Sequence, residues 1–229
     1  MLSVKQFFMS MKTSSTLLLA SAAALLSLQS SSDAAVINLS TGSTAAQSTQ
    51  LGGFGAGNAL DALINFTHTQ SSDANPTWQV LLPDSYSFTA IEAFNRASSD
   101  GALDCCPSRF RDITIQVLNF SGDATTDFTG GSISFSSALL NPENAIGGGT
   151  NTDGPVSLAA SPGGAVGNMI RIIRTVDTDL SGSGGLGNAD EGAVLSMDLV
   201  TAEGSAIPEP SSAILGMFGL LAFGLHRRR

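Results

Sequence analysis

Arg111-Asp112-Ile113-Thr114-Ile115-Gln116-Val117 alternates polar and apolar side chains, the period-2 pattern of a strand with one buried face. Other short runs share its character: Trp78–Leu82, Phe88–Phe94, Ser132–Phe135, Met169–Arg174 and Ala193–Val200, each bounded by Gly, Ser, Asp or Pro. Between residues 36 and 206 no apolar stripe recurs at helical spacing, and Asn58–Leu63 has room for a single turn. Evenly spread short strands predict an all-β fold, an antiparallel jelly-roll β-sandwich of about eight strands. Trp78, Ile113, Ile115, Val117 and Ile170 are its expected core. Asn141–Pro155 and Ser181–Asn188 read as long loops, and no repeat of fixed period is present.

Charge narrows the function. Of the chain's ten Lys and Arg, Lys5, Lys12 and Arg227–Arg229 lie at the two ends; of its nineteen Asp and Glu, only Asp33 and Glu209 do. The stretch 35–206 therefore holds five positive and seventeen negative residues, a net charge of −12, and no lysine. Sequence-independent nucleic-acid binding needs a basic footprint, so no nucleic-acid partner is expected. A Walker-type phosphate loop needs its lysine, so the glycines at 147–149 and 182–187 do not make one. His68 is the only histidine before the C-terminal tail, which rules out zinc clusters or triads built from several histidines.

The only two cysteines are neighbours, Cys105-Cys106, and Arg96, Arg109 and Arg111 surround them within sixteen residues. A bridge between adjacent cysteines closes too small a loop to remove much unfolded-state entropy, and its geometry is strained. Such a pair makes sense as a local shape, a rigid sulfur-faced turn at a site. An oxidising compartment would permit the bond.

Both ends read as addresses. Residues 1–34 have the layout of a signal peptide: Lys5 and Lys12, the apolar stretch Thr16–Leu28, then Ser32-Asp33-Ala34 as a small-x-small cleavage site. A membrane anchor is the other reading, although the apolar core falls short of the ~18 residues of a span. At the other end, Ile207-Pro208-Glu209-Pro210 precedes the apolar segment Ser211–Leu225 and His226-Arg227-Arg228-Arg229. A helix over 211–225 reaches only ~22 Å at ~1.5 Å per residue, against a ~30 Å hydrocarbon core. Pro208-Glu209-Pro210, a short apolar helix and a terminal Arg cluster together resemble the PEP-CTERM sorting signal. The resemblance implies a Gram-negative-type bacterium and recognition by an exosortase after secretion. It also implies transient contact of 211–225 with the inner membrane, and delivery to the outer surface or extracellular matrix. The expected organisation is a signal peptide at 1–34, a sandwich domain at 35–202, a linker at 203–206 and a sorting segment at 207–229.

Within the domain a second resemblance is carried by Asn58-Ala59-Leu60-Asp61, Phe66-Thr67-His68-Thr69, Asn75-Pro76-Thr77-Trp78-Gln79-Val80, Asn95-Arg96 and Cys105-Cys106-Pro107-Ser108-Arg109. Their order is similar to the fucolectin-type discoidin domain, a branch of the galactose-binding-like, coagulation factor 5/8 type C superfamily. The match is strong from residue 36 to about 120 and weak beyond. It implies that His68, Arg96 and Arg109 hydrogen-bond a fucose-like sugar, with a Cys105–Cys106 disulfide against its apolar edge. The chemistry suits a sugar. Guanidinium forks supply fixed donors to vicinal hydroxyls, and an imidazole can donate or accept. Two departures remodel the rim of the implied pocket: eight residues separate Arg96 from Cys105, where the fucolectin loop has only a few, and the Asp61–His68 segment is shortened.

The same family holds a structural Ca²⁺, which here implies Asn58, Asp61, Asn65 and an acid on the last strand. Asp198 is the nearest candidate, offset by one, with Leu199 where the acid should fall. Hard oxygen donors suit that ion, though Asp and Asn also form turns on their own account. Likewise Arg96 and Arg109 could pair with Asp100, Asp104 or Asp112 as surface ion pairs, and Arg111, at a strand start, reads as structural. Three function classes remain: a carbohydrate-binding surface protein, a structural exopolysaccharide-matrix or adhesion protein without a sugar site, and an enzyme. No carboxylate pair or nucleophile–base constellation supports the third, so the expectation is no enzyme.

Overall fold

The computed structural model describes residues 34–61, 65–96, 106, 109–147, 154–177 and 192–208. They form eight strands: β1 (Ala35–Val36), β2 (Thr44–Gln47), β3 (Thr77–Asn95), β4 (Ile113–Asn119), β5 (Ser132–Ser136), β6 (Ser157–Ala160), β7 (Ala165–Arg174) and β8 (Met197–Ala206). Every pairing is antiparallel. The all-β expectation holds.

β3 organises the architecture because it belongs to both layers. Its first part, Thr77–Leu81, pairs with β2 on one side and β7 on the other, and β4 and β5 continue that sheet. Its second part pairs with β8, with the start of β7 over Tyr86–Phe88 and with β6 over Ile91–Phe94, and β1 closes the far edge. The register slips between Leu81 and Tyr86, around exposed Pro83, which has no N–H for a ladder. The sequence reads this element as two strands split at that proline; the chain bends there and continues.

Alternation then fills one core between the layers. Trp78, Val80, Ile113, Ile115, Val117, Ile170 and Ile172 face Phe88, Ile91, Leu158, Met197, Val200 and Ala202. Each such aliphatic side chain contributes roughly 1.5–3 kcal/mol of apolar burial. Trp78 donates Nε1–H to the carbonyl of Ala56 at 2.9 Å, satisfying its one polar atom. A smaller cluster, Leu118, Phe120, Ala124 and Met169, covers the outer face of the first layer.

Two boundaries differ from expectation. The helical turn is a 3-10 turn over Ala56–Leu60. β8 runs to Ala206, so 203–206 is strand and not linker. Gly204 permits this, because a Cβ there would lie 2.2 Å from the Ser87 carbonyl oxygen. Most of the signal-peptide residues and the apolar tail 211–225 lie outside the described residues.

Candidate functional site

The segment after the short Asp61–His68 connection adds itself to the end of β8. Thr67 N–H donates to the Met197 carbonyl at 2.7 Å and Thr69 N–H to the Leu195 carbonyl at 3.0 Å. In return Met197 and Leu195 N–H donate to the hydroxyls of Thr67 and Thr69 at 3.1 and 2.9 Å. Asn95, the last residue of β3, pairs with the same Met197. Its Oδ1 accepts the Arg96 N–H at 2.8 Å, turning the chain out of the sheet. The ends of β3 and β8 thus bring Phe66, His68 and Arg96 together.

Their side chains form a stacked group. The Arg96 Cζ lies 3.8 Å from the Phe66 ring centroid, a cation–π contact. Phe54 stacks on Phe66 at 4.3 Å, and the His68 ring is 6.3 Å from both. His68 is only 3 % exposed, with Nδ1 2.6 Å from the Thr69 carbonyl oxygen. A carbonyl can only accept, so Nδ1 carries a proton and donates it there. Arg96 is half-exposed, while its Nε is buried and has no hydrogen-bond partner.

Arg109 enters the same end through its backbone. Its N–H donates to the Cys106 carbonyl at 2.9 Å, and its own carbonyl accepts from Arg174 Nη1. Arg174 Nη1 also donates to the Val194 carbonyl at 3.1 Å, one residue before the Leu195–Thr69 pair. Arg111 is wholly buried and ion-paired to Asp112 (3.2 Å) and Asp177 (3.0 Å), the structural part the sequence suggested. Burial, with the nearby Arg111 charge, pushes the Arg174 pKa down to about 10, and Asp112 and Asp177 oppose the shift. The guanidinium therefore stays charged at neutral pH.

Below this loop lies a strained knot. Cys106, Asp112, Asn141, Glu143 and Asn144 have φ between 46° and 56°, and they are the non-glycine residues with positive φ among those described. Asp112, Asn141, Glu143 and Asn144 belong to one hydrogen-bonded unit. Asn141 Nδ2 donates to the Phe110 carbonyl at 2.8 Å, the Asp112 N–H to the Asn141 carbonyl at 3.2 Å, and the Glu143 N–H to Asp112 Oδ1 at 2.8 Å. Sequence reasoning missed this knot and Arg174. The only available signal was the Asn and Asp content, since those residues tolerate the left-handed region.

Cys106 is a free thiol, half-buried, which corrects the expected Cys105–Cys106 disulfide in this structure. The strain of a vicinal bridge is the physical reason not to form it. Cys105 itself lies outside the described residues.

The four calcium candidates separate. Asn58 Nδ2 donates to the Phe66 carbonyl at 3.0 Å and so staples the turn to the site segment. Asp61 and Asn65 are exposed. Asp198 is 9 % exposed, and its buried Oδ1 has no hydrogen-bond partner. Burial raises its pKa. The register steps from Phe94–Leu199 to Asn95–Met197, making Asp198 the extra residue of a β-bulge. An orphaned carboxylate oxygen suits a hard cation, although among the described residues no three His, Cys, Asp or Glu side chains are grouped to hold one.

Residues 206–229 match the family model of the PEP-CTERM protein-sorting motif. The chain carries a PEP-CTERM sorting signal. The motif, in which Pro208, Glu209 and Pro210 fall, marks an exported protein sorted to the cell surface. No helix among the described residues is long and apolar enough to cross a membrane. No curated protein matches the sequence. Among solved structures, the chain is similar to the lectin-binding domain of lectinolysin, a His 62 mutant complexed with Lewis b. The TM-score is 0.50 and identity 17 %, covering 76 % of this chain and 100 % of that one. It is also similar to a fucolectin from striped bass (Morone saxatilis) serum, with TM-score 0.49 and 16 % identity, covering 75 % of this chain and 48 % of that one. A third is a Streptococcus pneumoniae fucose-binding module, with TM-score 0.47 and 16 % identity, covering 72 % and 96 %. The fold is that of galactose-binding-like β-sandwiches.

Proposed function

We propose that this exported protein binds a neutral, fucose-like glycan at the end of the sandwich formed by His68, Arg96 and the Cys105–Arg109 loop. One observation carries the reading. Of the five cations in residues 35–206, Arg111, Arg171 and Arg174 are buried, and only Arg96 and Arg109 are half-exposed. A domain of net charge −12 thus keeps one solvent-reachable guanidinium, Arg96, stacked on the Phe66 ring, and carries the other, Arg109, on a loop whose backbone is tied through Arg174 to Val194. Fixed N–H forks match sugar hydroxyls, and charge-assisted hydrogen bonds suit a wet, shallow site. The acidic surface repels polyanions, which favours a neutral sugar. The Lewis b bound in the lectinolysin structure supports this choice of ligand.

A structural role for Ca²⁺ goes with the reading. Asp198 is its carboxylate ligand, supported by the orphaned oxygen, with Asn58, Asp61 and Asn65 as further donors. Bound calcium would supply charge balance that fixes the bulge. An exosortase, the secretion machinery and the inner membrane of a Gram-negative-type cell are the partners in delivery, with loss of residues 1–34 and of the tail. Intact mass of the surface-exposed protein tests the processing; retention of Arg227–Arg229 would count against it.

The second reading, an exopolysaccharide-matrix or adhesion protein without a sugar site, is favoured by the burial of His68. Glycan-array screening of the purified full-length protein in calcium separates the two. Saturable binding to fucosylated glycans, lost in Arg109→Ala, supports the first; no binding to any glycan supports the second.

A further inference from the structure

Arg174 is the last residue of β7 and 1 % exposed. It lies on the same side of its strand as the core residues Ile170 and Ile172. A buried guanidinium is unfavourable unless its donors are met, and here Nη1 is met by two backbone carbonyls, those of Arg109 and Val194. These carbonyls belong to the two halves of the candidate site. Arg109 ends the Cys-Cys-x-x-Arg loop. Val194 precedes Leu195, which exchanges two hydrogen bonds with Thr69. Thr69 in turn holds Nδ1 of His68 with its carbonyl, at 2.6 Å. An unbroken polar path therefore runs from the Arg109 backbone through Arg174, Val194–Leu195 and Thr69 to the His68 ring.

The residue type fits the task. A guanidinium is planar and stays charged, with donors at fixed angles, whereas a lysine ammonium is a point charge on a flexible stem. Its neighbourhood is nearly neutral, because Arg111 is already paired with Asp112 and Asp177. The strained residues Cys106, Asp112 and Asn141 flank the Arg109 end of the path. Strain of this kind persists only where the surroundings over-determine it.

We infer that Arg174 is a positioning residue: it clamps the Arg109-bearing loop to the His68-bearing segment, so that both halves of the site are held in register. Its consequence for binding rests on the glycan reading above; the clamp itself does not.

Arg174→Lys, Arg174→Gln and Thr69→Val in the full-length protein test it. Thr69→Val removes the hydroxyl that Leu195 uses and leaves the buried arginine in place. Amide hydrogen exchange at Arg109 and Thr69 should speed up by at least about tenfold in the two Arg174 variants, with Val80 and Ile170 unchanged. In Thr69→Val the Arg109 amide should speed up as well, across the clamp. Fucosylated-glycan affinity should fall by about tenfold or more in Arg174→Lys, although the charge is kept. Unchanged exchange at Arg109 in all three variants overturns the clamp, and so does acceleration spread evenly over the core amides. If an Arg174 variant does not fold, Thr69→Val decides. If the wild type binds no glycan, the proposed function fails while the exchange rates still judge the clamp.

Discussion

β7 carries two buried arginines three residues apart, and they serve opposite faces in opposite ways. Arg171 points to the outer face. Its Nε donates to Gln79 Oε1 at 2.8 Å and its Nη2 to the Gly130 carbonyl at 3.0 Å, while Gln79 Nε2 bonds the carbonyls of Ala124 and Asp127. The loop it closes uses glycine where φ is positive, at Gly131. Arg174, at the candidate site, sits among the charges of Arg111, Asp112, Asp177 and Arg109, and Asp112 is held at positive φ. The first arrangement satisfies partners at low strain and reads as structure. The second concentrates strain and charge at the candidate site, as functional sites do.

The largest effect should come from the strained side. Arg111→Met leaves the buried Asp112 carboxylate uncompensated and should cost about 3–5 kcal/mol, read as a shift of the urea midpoint at unchanged slope. A shift under 1 kcal/mol would show that water already screens the pair.

Calcium sharpens the same side. At a hundredfold excess over its dissociation constant it should add about 2.7 kcal/mol to the wild type, seen as a Tm rise that a chelator reverses. Asp198→Asn should abolish the rise. It should also stabilise the calcium-free protein, because burial disfavours the Asp198 charge. A Tm insensitive to calcium would remove the ion from the account.

On the other face, Arg171→Met should cost about 1.5–3 kcal/mol and leave glycan affinity unchanged. An equal loss of affinity in this variant would erase the distinction between the two arginines.

The smallest effect concerns Asp127, whose pKa is lowered chiefly by the backbone N–H of Gly130 and then that of Thr129. A folded pKa below the unfolded one contributes stability above the unfolded value, which is lost as pH falls through the folded value. Asp127→Asn should therefore flatten the acid limb of Tm against pH below about pH 4 and change little at neutrality. An unchanged acid limb would mean that the loop forms without the carboxylate.

The two sides also differ in what their residues disclose. Arg111–Val117 and Met169–Arg174 announce strands because burial on one face leaves a period-2 trace. β6 (Ser157–Ala160) does not, being short and small-chained. The continuation of β3 past Pro83 depends on a register slip that composition cannot show. In the site, His68 and Arg96 were legible from motif order, and the structure brings them together on Phe66. Arg174 was not legible, since a terminal Arg in Met-Ile-Arg-Ile-Ile-Arg reads only as the end of a strand. Its importance comes from carbonyls 65 and 20 residues away in sequence. Backbone strain at Cys106 or Asn141 likewise follows from tertiary closure and leaves little local mark.

The central claim is that the two reachable arginines bind a sugar. Calorimetric titration of a fucosylated oligosaccharide into the full-length protein in calcium tests it most directly, with Arg96→Ala, Arg109→Ala and the double variant alongside. The account predicts saturable binding by the wild type and a loss of about 1.5–3 kcal/mol for each single change. No measurable heat should remain in the double variant. Equal binding by the wild type and the double variant would contradict it.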